Sequence, residues 1–353
     1  MLMRKIILSL AMLLLATAIM SAQNTTHARL DSLFDALSAG GKTMGSICIS
    51  QKGKNIYSRA IGYCVIDGGT KTAATEKTKY RVASITKMFT ASIVFQLMQE
   101  GRIDYSTPLD KFFPEIPGAK NITIGLMLNH RSGIHNIYDD GDFVSWKTKP
   151  KSQDEIVAMI AKNPLDFSPD TKSSYSNSNY ILLGYIIEEI CDKPYSEVVK
   201  DRITAKVGLK NTYYGDKTNL EKGESYSYVY NGDWIKQPEA DVSILGGAGA
   251  LVSTPADLNK FVHALFDNKV IKQRYLTKMQ NITEGFGMGM FSFSYGDRTL
   301  YGHPGGIDGF SILMEYYPDE DIAVSFCSNG LVGSTNDVVN AVLSILFGKP
   351  LEN

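Results

Sequence analysis

Strand-patterned segments lie at the two ends of this chain and helical ones between them, and that distribution limits the folds open to it. At the front, residues 44–50 and 55–65 are rich in apolar and β-branched residues, joined through Gln51-Lys52-Gly53-Lys54, a hairpin turn by composition. At the back, residues 287–293, 298–302, 311–317 and 321–328 read as further strands, separated by turn residues such as Tyr295-Gly296-Asp297 and Pro318-Asp319-Glu320. Between the two groups the texture is helical, over 123–128, 153–161, 180–190 and 256–266, with 139–151 polar and aperiodic as the expected long loop. Helices over 28–37 and 336–347 bracket the whole. Strands this far apart in sequence bury their apolar faces by pairing with one another. The expected fold is therefore α+β: one antiparallel sheet flanked by helices, built from both chain ends, with an inserted mainly helical region. The sheet unit is expected to take residues 23–101 and 285–353, the helical unit 102–284, with a site between them.

Composition narrows the function classes. A chain of 353 residues with 44% hydrophobic and 21% charged residues has the make-up of a soluble globular protein with ample core. Its formal charge of -1 provides no basic field, which argues against nucleic acid as a partner. The 4 cysteines (48, 64, 191, 327) form no C-x-x-C pair and the 5 histidines no H-E-x-x-H, so no metal and no cofactor are expected. Cys48 and Cys327 both fall in strand-like runs where a bridge is conceivable; unpaired buried thiols are the expectation. Arg4 and Lys5 precede an almost wholly apolar run over 6–20, a secretory signal assigned to residues 1–22, with cleavage after Ala18 or after Ala22. The run is short for a membrane span, so no stable span is expected after cleavage, and the location expected is periplasmic or secreted. An uncleaved anchor is the rival reading. No cysteine lies near the cleavage region, which removes a lipoprotein.

The segment opening at Arg81-Val82-Ala83-Ser84 carries Ile85, Met88, Phe89, Ile93, Leu97 and Met98 at three- and four-residue intervals, which predicts a helix buried along a broad face. Ser84 falls at its start, and Lys87 lies one turn on over the same face, within reach of the serine hydroxyl. Serine is a weak nucleophile until an adjacent base takes its proton. Lysine is that base only when neutral, which requires burial or neighbouring positive charge to pull its pKa down from about 10.4. Taken alone, the tetrapeptide describes equally well a helix-capping serine followed by a solvated lysine.

Three further stretches add weight. Ser174-Tyr175-Ser176-Asn177 precedes a strongly apolar helix, so Tyr175 and Asn177 sit on a loop that a helix holds in place. Gly302-His303-Pro304-Gly305-Gly306 ends one late strand and leads to the next. Leu126 to Gly133 forms a helix end with a glycine stop, where His130 is taken as structural. Met singly, Tyr175 is a core aromatic, His303 a satisfied turn histidine and Asn177 a helix cap.

Together, S-x-x-K, Y-S-N and H-P-G in this order resemble the serine beta-lactamase-like family, which includes class C beta-lactamases, DD-peptidases and related esterases. The resemblance runs over nearly the whole chain beyond the leader. It implies that Ser84 is the nucleophile, Lys87 its proton acceptor or relay, and Tyr175 a partner in the base role that later protonates the leaving group or deprotonates the incoming water or alcohol. By the same resemblance Asn177 orients the acyl side of the substrate, and the backbone N–H groups of Ser84 and Gly306 form the oxyanion hole. Gly305 and Gly306 are read as bare backbone against which a substrate lies flush.

Two departures shape the expected chemistry. His303 stands where the beta-lactamases have the lysine of K-T-G, so the charge beside the substrate is expected to titrate near neutrality. Pro304 follows it and offers neither a hydroxyl nor an N–H to a substrate carboxylate. The function expected is a secreted serine hydrolase acting on a small-molecule acyl substrate, a small ester or amide, through an acyl-enzyme. The alternatives are a DD-carboxypeptidase, a weak beta-lactamase, an acyltransferase that passes the acyl group to an alcohol, and a beta-lactam sensor that is acylated without turnover.

Overall fold

The computed structural model of the protein describes residues 24–348, so the leader assigned to residues 1–22 lies outside the described residues. Helix α1 (24–39) leads into strands β1 (Thr43–Gln51) and β2 (Lys54–Ile61). The late strands are β3 (Phe291–Tyr295), β4 (Arg298–Ile307), β5 (Phe310–Tyr317) and β6 (Ile322–Leu331). All six form one antiparallel sheet in the order β3-β4-β5-β6-β1-β2. The two chain ends meet inside this sheet, where β1 pairs with β6 from Thr43 opposite Leu331 to Gln51 opposite Ile322. The protein is thus α+β, an antiparallel sheet with helices on both faces.

Alternation along the strands divides the core. Ile47, Ile49, Leu313, Val324 and Phe326 face outward against Leu30 and Phe34 of α1 and Val339 and Val342 of α5 (Thr335–Phe347). Ile312, Met314 and Tyr316 face inward, toward the helical layer. Helix α4 (Pro255–Phe266) falls within the stretch 102–284 yet lies on the inner face of the sheet, where Asn259 donates to the carbonyls of Cys48 at 2.9 Å and Ala323 at 3.2 Å. Helix α2 (Thr86–Gln99) is buried all round from Thr86 to Leu97, not along one face as its spacing predicts. It runs between the sheet and the helical layer, and its polar residues find partners inside: Thr90 Oγ1 lies 2.6 Å from the Gly247 carbonyl, and Ser92 donates to Met88 at 2.7 Å.

Three expectations are corrected. The second front strand stops at Ile61, because Gly62 takes φ 69° and turns residues 63–67 into a separate hairpin with Thr70–Ala73. The stretch 287–293 becomes strand only at Phe291, since Gly289, at φ 74°, crosses α2 so closely that a side chain there would press on the Lys87 carbonyl. The aperiodic stretch 139–151 contains a short helix, Phe143–Trp146, folded onto the protein. All four cysteines are free, Cys48 standing opposite Ser325 and Cys327 opposite Ser46.

One carboxylate is out of place in this packing. Glu315 on β5 stands opposite Val324, which puts it on the outer face under an apolar cluster, and its Oε2 has no partner among the described residues. Burial pushes its carboxyl up to about 7. The folded value lies above the unfolded one, so this group's favourable share is complete below the ordinary glutamate range and is lost as pH rises through about 7. Glu315→Gln should raise the thermal midpoint at pH 8, by a free energy on the order of 2–3 kcal/mol, and change it little at pH 4. Equal shifts in thermal melts at the two pH values would contradict this.

Candidate active site

The site is assembled where α2 begins. Strand Tyr80–Arg81 pairs with Leu251–Ser253, and Val82 donates to the Leu251 carbonyl at 2.9 Å, which pins the chain just before the turn. Ala83 then takes φ 47°, a left-handed conformation costly for a residue with a Cβ, and a single 3-10 turn over Ala83–Ile85 carries Ser84 into the start of α2.

Lys87, one turn on, is completely buried. Its Nζ lies 3.0 Å from Ser84 Oγ, 2.8 Å from Asn177 Oδ1 and 2.8 Å from the Ala248 carbonyl oxygen. Burial holds the amine well below the usual lysine range. Ala248 comes this close because it lies in the glycine-rich turn Gly246–Gly249, where Gly247 packs backbone to backbone on Gly184 of α3 (Asn177–Cys191).

Tyr175 donates to Ser84 Oγ at 2.9 Å, and its burial pushes the phenol above its ordinary value, so it stays protonated. Its ring stacks obliquely on His130, with centroids 4.5 Å apart. His130 is itself buried, accepts from Ser176 N–H at 3.2 Å, and is held below the usual histidine range first by burial. It packs the tyrosine in place, in keeping with a structural role.

Asn177 opens α3. Its backbone N–H and its side-chain Nδ2 both donate to Asn136 Oδ1, at 3.0 and 3.2 Å, which turns its own Oδ1 toward Lys87. The loop carrying Asn136 is fastened beside it: the His135 ring bridges Asp166 at 2.8 Å and Asp140 at 3.0 Å, and Ser178 donates to the His135 carbonyl at 2.6 Å. Sequence reasoning missed Asn136, since a lone asparagine in a loop carries no spacing signal.

Strand β4 forms the other wall. Its partner β3 reaches only as far as Gly302, so the β4 edge is unpaired from His303 onward, and Pro304 sits where no ladder bond is lost. Gly305 lines the cavity beside Ser84 and has a second neighbour as well. A side chain there would run into the Val82 carbonyl, so this glycine lets the strand lie against the turn before Ser84. At Gly306 a side chain would meet only the Phe310 carbonyl oxygen, at 4.0 Å.

His303 is also corrected. It is 1% exposed, packs edge-on to Phe291 with centroids 4.7 Å apart, and its Nδ1 donates to the Pro304 carbonyl at 2.6 Å. Burial, and secondarily the neighbouring Lys87, press its pKa down to about 3. The imidazole therefore stays neutral through the range where titration was expected.

Two cavities meet at Ser84, Tyr175 and Gly306. One, of about 470 Å³, lies on the Asn177 side and is walled by Tyr138, Phe143, Lys147, Asp308 and Phe310. The other, of about 460 Å³, is lined by Phe286, Phe291, His303 and Pro304. The walls of the first come from the presumed loop and from the turn between β4 and β5, which no local pattern joined.

A second serine also has a relay-like setting: Ser50 Oγ lies 2.8 Å from His263 Nε2, whose Nδ1 is 2.7 Å from Asp321 Oδ1. Ser50 is 1% exposed in the middle of the fold, so this chain of hydrogen bonds ties α4 to the sheet and faces no substrate.

Among known proteins, the Beta-lactamase family profile matches residues 30–348. A penicillin-binding protein of Bacillus subtilis (strain 168) is 27% identical over 350 residues, 92% of this chain and 76% of its own length. A teichoic acid D-alanine hydrolase of Staphylococcus aureus is 27% identical over 289 residues, covering 79% of this chain and 69% of its own. The crystal structure of D-amino acid amidase from Ochrobactrum anthropi SV3 complexed with L-phenylalanine superposes with a TM-score of 0.80 at 28% identity, covering 92% of this chain and 98% of that one.

The neutral state of His303 has a direct readout. For paired esters that differ only in a carboxylate on the leaving group, the ratio of kcat/KM should stay flat from about pH 5 to 8, because His303 takes a proton only near pH 3. A ratio that falls as pH rises through about 6–7 would mean that His303 is charged in the cleft.

Proposed function

Since the chain belongs to the beta-lactamase family and is a serine hydrolase, we propose that it forms an acyl-enzyme on Ser84, with Lys87 as the base, and cleaves a small amide or ester whose leaving group lacks a carboxylate. One observation carries the reading. Two of the three neighbours of Lys87 Nζ, Asn177 Oδ1 and the Ala248 carbonyl, are acceptors only. A neutral amine has two N–H groups and one lone pair. When the N–H groups satisfy those two oxygens, the lone pair is left for the third neighbour, the Ser84 hydroxyl at 3.0 Å.

In the resulting sequence Ser84 Oγ attacks the substrate carbonyl and its proton passes to Lys87. The tetrahedral oxyanion takes hydrogen bonds from the Ser84 and Gly306 N–H groups; a donor of this kind contributes roughly 10²–10³ in rate. The carbon–nitrogen or carbon–oxygen bond then breaks, the leaving group takes a proton relayed from Lys87 through Tyr175, and the acyl ester stays on Ser84. Water, deprotonated by the same pair, reverses these steps and releases the acid. The protonated phenol of Tyr175 makes it a donor at the outset, with the base role resting on Lys87.

The leaving-group side is taken as the cavity of Phe286, Phe291, His303 and Pro304, opposite Asn177. Its lining among the described residues includes no lysine or arginine, His303 is neutral there, and Pro304 has no donor to give. Penicillins and D-Ala-D-Ala peptides bear a carboxylate on that side, so a neutral amine or alcohol is the better match. The names of the relatives, a D-amino acid amidase and a teichoic acid D-alanine hydrolase, favour an amide or ester of a D-amino acid as the substrate. The apolar leader read in residues 1–22 supports export to the periplasm or the medium. Among the described residues no helix is long and apolar enough to cross a membrane.

A fluorophosphonate probe tests the reading. Ser84→Ala should abolish labelling in a folded protein, and Lys87→Arg, which keeps a charge that cannot act as base, should slow labelling by about 10² or more. Labelling of Lys87→Arg at the parent rate would rule out the lysine as base, and labelling of Ser84→Ala would rule out the nucleophile.

A further inference from the structure

On the Asn177 side, the cavity that receives the acyl group is lined by side chains without charge except for one ion pair. Lys147 Nζ lies 2.7 Å from Asp308 Oδ1, and the other carboxylate oxygen, Oδ2, accepts from Ala240 N–H at 2.9 Å. The two members differ in what they leave available. The Asp308 side chain is 1% exposed and already takes a donor on each oxygen, whereas the Lys147 side chain is 17% exposed. Among the described residues the Lys147 ammonium gives one hydrogen bond, to Asp308, and it has three N–H groups to give. Its backbone is fixed as well, the Lys147 carbonyl accepting from Asp241 N–H at 2.8 Å. A held ammonium with unused donors, at the edge of a cavity otherwise walled by Tyr138, Phe143 and Phe310, is arranged to take an oxygen acceptor from whatever fills that cavity.

We infer that Lys147, positioned by Asp308, is the anchor for the far end of the acyl group, and that it selects acyl groups ending in a carboxylate over apolar or ammonium-ended ones. The inference rests on the hydrolase reading above and narrows its substrate class: it concerns the end of the acyl group remote from the scissile carbonyl, the side-chain end of a D-aminoacyl group, and not the α-amino group beside Ser84. An ammonium end would meet the N–H groups of Lys147 with like charge, while the carboxylate of Asp308 is enclosed behind them. An apolar end would leave those N–H groups facing it unpaired. A carboxylate completes them.

The test uses p-nitrophenyl monoesters of adipic, hexanoic and 6-aminohexanoic acids, which are achiral, share one leaving group and differ at the far end of the acyl chain. In the parent, kcat/KM should fall in that order, with adipoyl over hexanoyl by about tenfold, the size expected for a hydrogen bond to a charged group. Lys147→Met should bring the adipoyl-to-hexanoyl ratio to about one. Asp308→Asn keeps a side-chain oxygen for Ala240 but turns an N–H group toward Lys147, so the anchor loses its tether and the ratio should fall part of the way toward one. An adipoyl-to-hexanoyl ratio that stays at the parent value in Lys147→Met, with all three esters slowed alike, would mean that the pair only braces the wall, and it would overturn the inference, as would an aminohexanoyl preference in the parent. Fluorophosphonate labelling of Ser84 in the same samples separates the two levels: labelled, active enzyme with no charge preference overturns the Lys147 assignment alone, whereas an unlabelled Ser84 overturns the hydrolase reading and this inference with it.

Discussion

A lysine sealed in the interior, its amine held well below the usual lysine range by burial, is the condition on which the rest of this site depends. An ammonium sealed from water costs several kcal/mol unless it is paired with an anion, and among the described residues no carboxylate hydrogen-bonds to Lys87. The surroundings offer an amide oxygen, a peptide carbonyl and a hydroxyl, three dipoles that suit an amine and fall short of neutralising an ammonium. The same burial that lowers the Lys87 amine raises the Tyr175 phenol and holds His130 and His303 below the usual histidine range. Proton positions in the cluster thus follow from the exclusion of water, with one hydroxyl left between an amine and a phenol.

Holding that arrangement takes much of the chain. The strained φ of Ala83, 47°, is sustained by the ladder to Leu251 in front and by the fully buried α2 behind. Gly305 brings β4 against this turn from one side, and the glycine run at Gly246–Gly249 brings Ala248 in from the other. Asn136, anchored in a loop clamped by His135 between two aspartates, sets the Asn177 amide. The sheet formed by both chain ends gives the site its rigid floor, which is why segments more than two hundred residues apart meet at Ser84.

Much of this was legible in the sequence, and what was not has a common cause. Two-residue and 3.6-residue periodicities reflect local geometry, so β1, β2, β5, β6, α2 and α5 were recognisable within a few residues of their ends. Ser84 and Lys87 were recognisable as a pair because one helical turn brings them together. Tyr175 and His303 stood out only as part of an ordered set of motifs. The proton state of His303 was misjudged because it depends on how deeply Phe291 and β4 enclose the ring, and enclosure has no local signature. Gly305 is legible as a close approach of bare backbone, but that it also abuts the Val82 carbonyl follows only from the tertiary fold. Lys147 and Asp308 come from a stretch read as loop and from a turn 161 residues away, and only the tertiary fold makes them partners.

The charge on Lys87 can be measured directly. With lysines labelled in the side chain with carbon-13 at Cε, and Lys87→Met to assign the signal, heteronuclear NMR follows the protonation of this one amine against pH. The account predicts a midpoint well below the ordinary lysine value of about 10.4. A Lys87 that stays an ammonium up to about pH 10 would contradict it, and with it the assignment of the base.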